Sequence, residues 1–215
     1  MNKVLYLFDP DEYLPRQTAT ETEFQEHFGE ILPDLFHAYE YAFEKMCEKR
    51  AARKATEMTA RWASDNVNGF LYDWLVNNPR ASLLIRKENN TFYLETGDYR
   101  LTFKKVDKYY RPSYNTNKHN MLLQHNLAVS SEDLRSVIFI GYRVDEAWSM
   151  LEGVYAINRN GNDLNWIIDL GKLAGGVGRA DAGQPIVPDP TETDTVPEPE
   201  LRLKIKDKGK DKKAV

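Results

Sequence analysis

The sequence predicts an α+β fold in which N-terminal helices pack on one face of a mainly antiparallel sheet of two meanders, followed by a disordered C-terminal tail. Three observations predict it. Apolar residues recur every three or four positions from Phe24 to Trp74. Short apolar runs separated by turn residues fill residues 83–170. All aromatic residues lie at or before Trp166, so the material for a core ends there. Residues 1–178 are therefore read as a single domain, helical over 22–77 and β-rich over 83–170, and residues 179–215 as a tail.

Taken in order, residues 4–8 form a short apolar run that reads as a strand and meets Asp9-Pro10 directly. The stripe Phe24, Phe28, Ile31, Leu35, Tyr39, Ala42, Met46 is that of an amphipathic helix. Pro33 interrupts it, because proline lacks the amide proton and clashes with the preceding turn. The break falls before Pro33, which then sits in the first turn of the next helix. Ser64-Asp65-Asn66 supplies capping chemistry farther on. The expected helices are 22–32, 33–62 and 65–77, ending before Pro79. Strands are expected at 83–87, 91–96 and 99–105, joined by Asn89-Asn90 and Gly97-Asp98, residues that tolerate positive φ. A second set covers 137–144, 150–158 and 164–170, with Asn160-Gly161 as the strongest hairpin signal.

The tail differs in composition. Half of the ten prolines lie between Pro185 and Pro199, residues 181–200 carry six acids and no base, and residues 201–215 carry seven bases against two acids. Without aromatic residues, little offsets the entropy of ordering such a segment. Leu201, Leu203 and Ile205 alternate with bases, a strand periodicity that fits addition of residues 201–206 to a partner's sheet edge.

Composition also excludes function classes. The net charge of −4 excludes a general polycation. Cys47 is the only cysteine, which excludes an intramolecular disulfide and any zinc site of two thiolates. No stretch approaches the length of a membrane span and no secretory signal is visible, so a cytoplasmic protein without membrane association is expected. No metal or cofactor is implied.

The most suggestive stretch is residues 99–125. Arg100, Lys104, Lys105, Lys108, Arg111 and Lys118 face only Asp107, a local balance of +5 in an acidic chain. Tyr99, Phe103, Tyr109, Tyr110 and Tyr114 are interleaved with them. Cations attract phosphates and aromatic faces stack on unpaired bases. The bland alternative is that these bases cover the solvated face of strands. The first functional expectation is a non-enzymatic interaction protein that binds an anionic partner, single-stranded nucleic acid ahead of an acidic protein surface. No RNA-binding signature of the RRM or KH type accompanies the segment.

A different class uses His119 and His125 with Arg111 as a metal-independent ribonuclease of a toxin or defence protein, since histidine near neutrality suits both proton roles. A third is a structural subunit of an oligomer. Weaker patterns are the helical set Glu30, Asp34 and His37, which lacks a second ligand set, and the hairpin set Glu95, Asp98, Lys104 and Lys105, whose order is wrong for a metal-dependent nuclease. The glycine-rich residues 171–178 lack the Lys-Ser/Thr and following helix of a phosphate loop. Charge is segregated too: residues 9–48 hold eleven acids against Arg16 and Lys45.

Overall fold

The computed structural model describes residues 13–53, 58–88, 91–113, 122–123, 125, 127–128, 134–161 and 163–175. All belong to the first of two units, Met1–Ala182 and Gly183–Val215. The strand expected at 4–8, the end of the glycine-rich run (176–178) and the tail lie outside the described residues.

Helix α1, Glu21–Phe28, opens on a capping box: the Thr20 hydroxyl accepts from the Glu23 amide while the Glu23 carboxylate accepts from the Thr20 amide. Helix α2, Leu32–Ala51, carries Pro33 in its first turn, where its missing N–H has no helical partner to lose. Helix α3 is Ala60–Asn77. Here the expectation of helices over 33–62 and 65–77 is corrected. The cap is Thr59, whose hydroxyl accepts from the Trp62 amide, and Ser64-Asp65-Asn66 lies inside α3. Ser64 instead shares a hydrogen bond with the Tyr142 hydroxyl, and Asn66 donates to the Trp62 carbonyl one turn back. The buried stripe Ala63, Val67, Leu71, Leu75 continues through the expected break, and a local capping preference yields to it.

A 3₁₀ turn, Ala81–Leu83, leads into the sheet. Two residues of the N-terminal segment, β1 (Leu14–Pro15), pair antiparallel with β5 (Leu127–Ala128) apart from the main sheet. The main sheet has the order β2 (Ile85–Glu88), β3 (Thr91–Thr96), β4 (Tyr99–Lys105), β6 (Ser136–Val144), β7 (Leu151–Asn160) and β8 (Asp163–Asp169). Each set of three is an antiparallel meander, as expected. Two left-handed glycines fall at the predicted hairpin turns, Gly97 at φ +49° and Gly161 at φ +59°. The meanders meet through β4 and β6, which run parallel from Tyr99↔Ser136 to Lys105↔Tyr142. Parallel neighbours need a long crossover, and residues 106–135 supply it. A short helix α4, Leu170–Leu173, follows β8, with the Asp169 carboxylate accepting from the Gly171 amide.

The two faces of the sheet are covered differently. Leu94, Leu101, Phe103, Ile138, Ile140, Tyr142, Val154 and Ala156 pack with the helices in the larger core. Tyr39 of α2 is fully buried at this layer, and its hydroxyl donates to the Ile140 carbonyl at 3.0 Å. On the far face, Val137, Phe139, Tyr155 and Ile157 are covered by Val106, Tyr110 and Leu123 of the crossover. Part of the basic-aromatic stretch is thus core material for the second face. Among the described residues, no helix is long and apolar enough to cross a membrane.

Candidate functional site

Strand alternation divides the bases of β4. Leu101 and Phe103 belong to the helix-side core, so Lys105 lies on their side and Arg100 and Lys104 on the other. Lys105 places its ammonium 4.3 Å from the centroid of Trp148. Burial pushes the amines of Lys104 and Lys105 below the ordinary lysine range, with Glu152 opposing the shift at Lys105. The Arg100 guanidinium lies 4.5 Å from the Tyr93 centroid and 3.6 Å from the Glu95 carboxylate, and its side chain is only 12% exposed. Glu95 also takes Arg135 at 2.9 Å.

The exposed chemistry comes from the turn after β4. Val106 extends the ladder by donating to the Tyr142 carbonyl, then bridges back to Pro112. Within the loop, the Tyr110 amide donates to the Asp107 carbonyl and the Asp107 amide to the Arg111 carbonyl. The Asp107 carboxylate organises the rest. One oxygen accepts from the amides of Tyr109 and Arg111, each at 2.8 Å, and the other accepts from Arg111 Nε at 2.8 Å. Tyr110 sits at φ +58°, a left-handed conformation that costs a side-chain-bearing residue about 1–2 kcal/mol. Its ring offsets that cost by burial against Tyr155, edge-on with centroids 5.0 Å apart.

Successive tyrosines consequently point opposite ways. Tyr110 is 8% exposed and Tyr109 is 37% exposed. Lys108 Nζ lies 4.9 Å from the Tyr109 centroid and the Arg111 guanidinium carbon 4.8 Å from it. Tyr109 is an outward ring with two cations against it, on a turn whose amides and guanidinium are tied to one carboxylate.

Two arginines missed by the sequence reading support this turn. Arg159 is buried, donating through Nη1 to the Tyr109 carbonyl at 3.1 Å and through Nε to the Gly161 carbonyl at 3.4 Å. It ties the loop to the end of β7. Arg143 lies 5.8 Å from the Tyr110 centroid and 5.7 Å from that of Tyr155, and donates to Glu152 at 2.6 Å. A bulge opposite Arg143 and Val144 brings Glu152 to that position. Burial pushes the Tyr155 hydroxyl up to about 12, against the pull of Arg143. The signal for both arginines was a base on the far-face side of otherwise apolar alternation, in Val137, Phe139, Gly141, Arg143 and in Tyr155, Ile157, Arg159.

The other expected residues are placed as follows. His125 lies against Gly161, its Nδ1 3.0 Å from where a Cβ on that glycine would sit, and so adjoins the Arg159 bracket. Tyr114, Lys118 and His119 lie outside the described residues. On α2, His37 faces Glu40 at 3.0 Å while Asp34 faces Arg80 at 3.7 Å, so the two do not converge. Glu95 is engaged by Arg100 and Arg135, whereas Asp98 borders an open groove of about 370 Å³ with Glu23, Tyr99 and Ser136.

No protein-family model matches the chain, nor does any curated protein or solved structure. An exposed cation over a ring contributes about 0.5–1 kcal/mol, whereas a nucleobase stacked on an aromatic side chain contributes about 1–3 kcal/mol. A base can thus compete for the Tyr109 ring, and the neighbouring cations suit its phosphate.

Proposed function

We propose that the protein is a non-enzymatic binding module for an anionic partner, single-stranded nucleic acid, acting through the turn of residues 107–112. The observation that carries this reading is the outward ring of Tyr109 with Lys108 and Arg111 against it. An aromatic face flanked by cations is the minimal unit for a stacked base and its phosphate. Of the wider basic stretch, Arg100 and Lys105 are engaged within the fold, so the proposal narrows to the turn itself.

The test is fluorescence anisotropy with a labelled single-stranded RNA and its DNA counterpart at two salt concentrations. Binding should weaken with salt, and Tyr109→Leu should weaken it roughly tenfold while leaving the melting temperature unchanged. Binding that ignores both salt and Tyr109→Leu would reject the proposal in favour of a protein partner. Cleavage of the RNA in the same incubation, lost in His119→Ala, would replace it with the ribonuclease alternative.

A further inference from the structure

The two cations on Tyr109 are held differently. The Arg111 guanidinium is tied through Nε to Asp107 at 2.8 Å, and its backbone amide is tied to the same carboxylate. Lys108 is exposed and meets the ring from a flexible stem at 4.9 Å. A ligand that takes the ring face must displace one of them, and the untethered ammonium is the easier to move. We propose that the turn captures one unpaired nucleobase by exchange: the base takes the ring face covered by Lys108, the released ammonium moves to the flanking phosphate, and Asp107 acts as a positioning residue that keeps Arg111 and Tyr109 in place. This rests on the binding function proposed above and specifies its ligand and order of events.

The ligand must be single-stranded because a paired base presents only its edges in the grooves, and stacking needs an open face. It is one base because Tyr110, the neighbouring ring, is buried against Tyr155. Asp107 places a negative charge beside a phosphate site, which by charge alone opposes binding. Its retention of three hydrogen bonds to the turn gives it the opposite effect: without it, Arg111 is released and the ring loses its fixed flank.

That conflict of sign supplies the experiment. The probe is a labelled oligo-uridine strand, with a duplex of equal length as comparison, titrated against the full chain at several salt concentrations. Lys108→Ala should reduce the slope of log affinity against log salt by roughly 0.7, one phosphate contact on a single strand. Because it also uncovers the ring, its affinity at high salt should equal or exceed that of the unmodified protein. Asp107→Asn preserves the side chain's shape and removes the acceptor for Arg111 Nε; it should weaken binding several-fold. Its far-ultraviolet dichroism and melting temperature report whether the domain stays folded, and Asp107→Glu, which restores a carboxylate, should recover part of the affinity.

Tighter binding by folded Asp107→Asn, or equal affinity for the duplex, would overturn the exchange mechanism while leaving single-strand binding in place. Absence of oligo-uridine binding by the unmodified protein at low salt would overturn the binding function itself.

Discussion

Two turns at the same end of the sheet invite comparison. The parallel neighbours β4 and β6 each run into a turn led by an aspartate, Asp107 and Asp145. In each, the amide of the third residue on donates to the aspartate carbonyl, Tyr110 to Asp107 and Trp148 to Asp145. In each, that residue is an aromatic in the left-handed region, Tyr110 at φ +58° and Trp148 at φ +54°. Both rings are buried, Tyr110 against Tyr155 on the far face and Trp148 against Tyr142 on the helix side. Both carboxylates accept amides of their own loop, Asp145 those of Ser149 at 2.6 Å and Met150 at 2.8 Å.

The turns differ in where their cations lie. The 145–150 turn is clamped from outside: Arg50 of α2 donates to the carbonyls of Ala147 and Trp148, and Lys105 sits over the indole. The 107–112 turn is also tied from outside, by Arg159 on the Tyr109 carbonyl, but it carries two further cations of its own on an exposed ring. A strained backbone with a buried aromatic is therefore not in itself a mark of function here. What separates the two is the side chains displayed at the tip: only the 107–112 turn holds out an exposed ring with two cations of its own loop against it.

Three substitutions test that separation. The largest effect is expected for Trp148→Ala, which removes a buried indole and should cost about 3 kcal/mol in urea-melt stability. Its affinity for single-stranded RNA should be unchanged; a parallel loss of binding would mean the turns are coupled. Gly141→Ala should come next. An added Cβ would lie 2.6 Å from Val106 Cγ1 and 2.9 Å from Ile157 Cδ1, directly beneath the start of the 107–112 turn. Overpacking of this kind costs about 1–3 kcal/mol, and because Val106 is stiff at χ1 it should also weaken RNA binding.

The smallest effect concerns pH. Hydrogen bonds from the Ser149 side chain and the Met150 amide hold the Asp145 carboxyl below the usual range. A depressed folded-state value stabilises the protein above the unfolded value, about pH 4, and that contribution fades as pH falls through the folded value. Acid unfolding of Asp145→Asn should accordingly differ from the unmodified protein at neutral pH and converge with it in acid. A gap that persists at low pH would assign the effect to packing.

Local signals announced local features. The change of period from helix to strand, Pro33 and the Gly97 and Gly161 turns all act through neighbours in sequence, and the strands at 91–96 and 99–105 follow from them. The Thr59 cap was missed because Ser64-Asp65-Asn66 offers equal local chemistry; only the sheet, through Tyr142, decides that Ser64 belongs inside a helix. The parallel pairing of β4 with β6 carries no short-range mark at all. The site was half visible for the same reason. Lys108, Tyr109 and Arg111 stood out by composition, and alternation already implied that Lys104 and Lys105 part company. That Tyr110 faces inward depends on Tyr155, and that the loop is bracketed depends on Arg159, contacts no window of neighbouring residues contains.

The β4–β6 seam also bears on how the molecule assembles. Each meander can zip through short turns, at little cost in chain entropy, whereas joining Leu101 to Ile138 first requires closure of the whole 106–135 excursion. Sequence-distant pairings of this kind slow folding. The seam is thus the natural late step of folding, even though it joins the two central strands of the finished sheet.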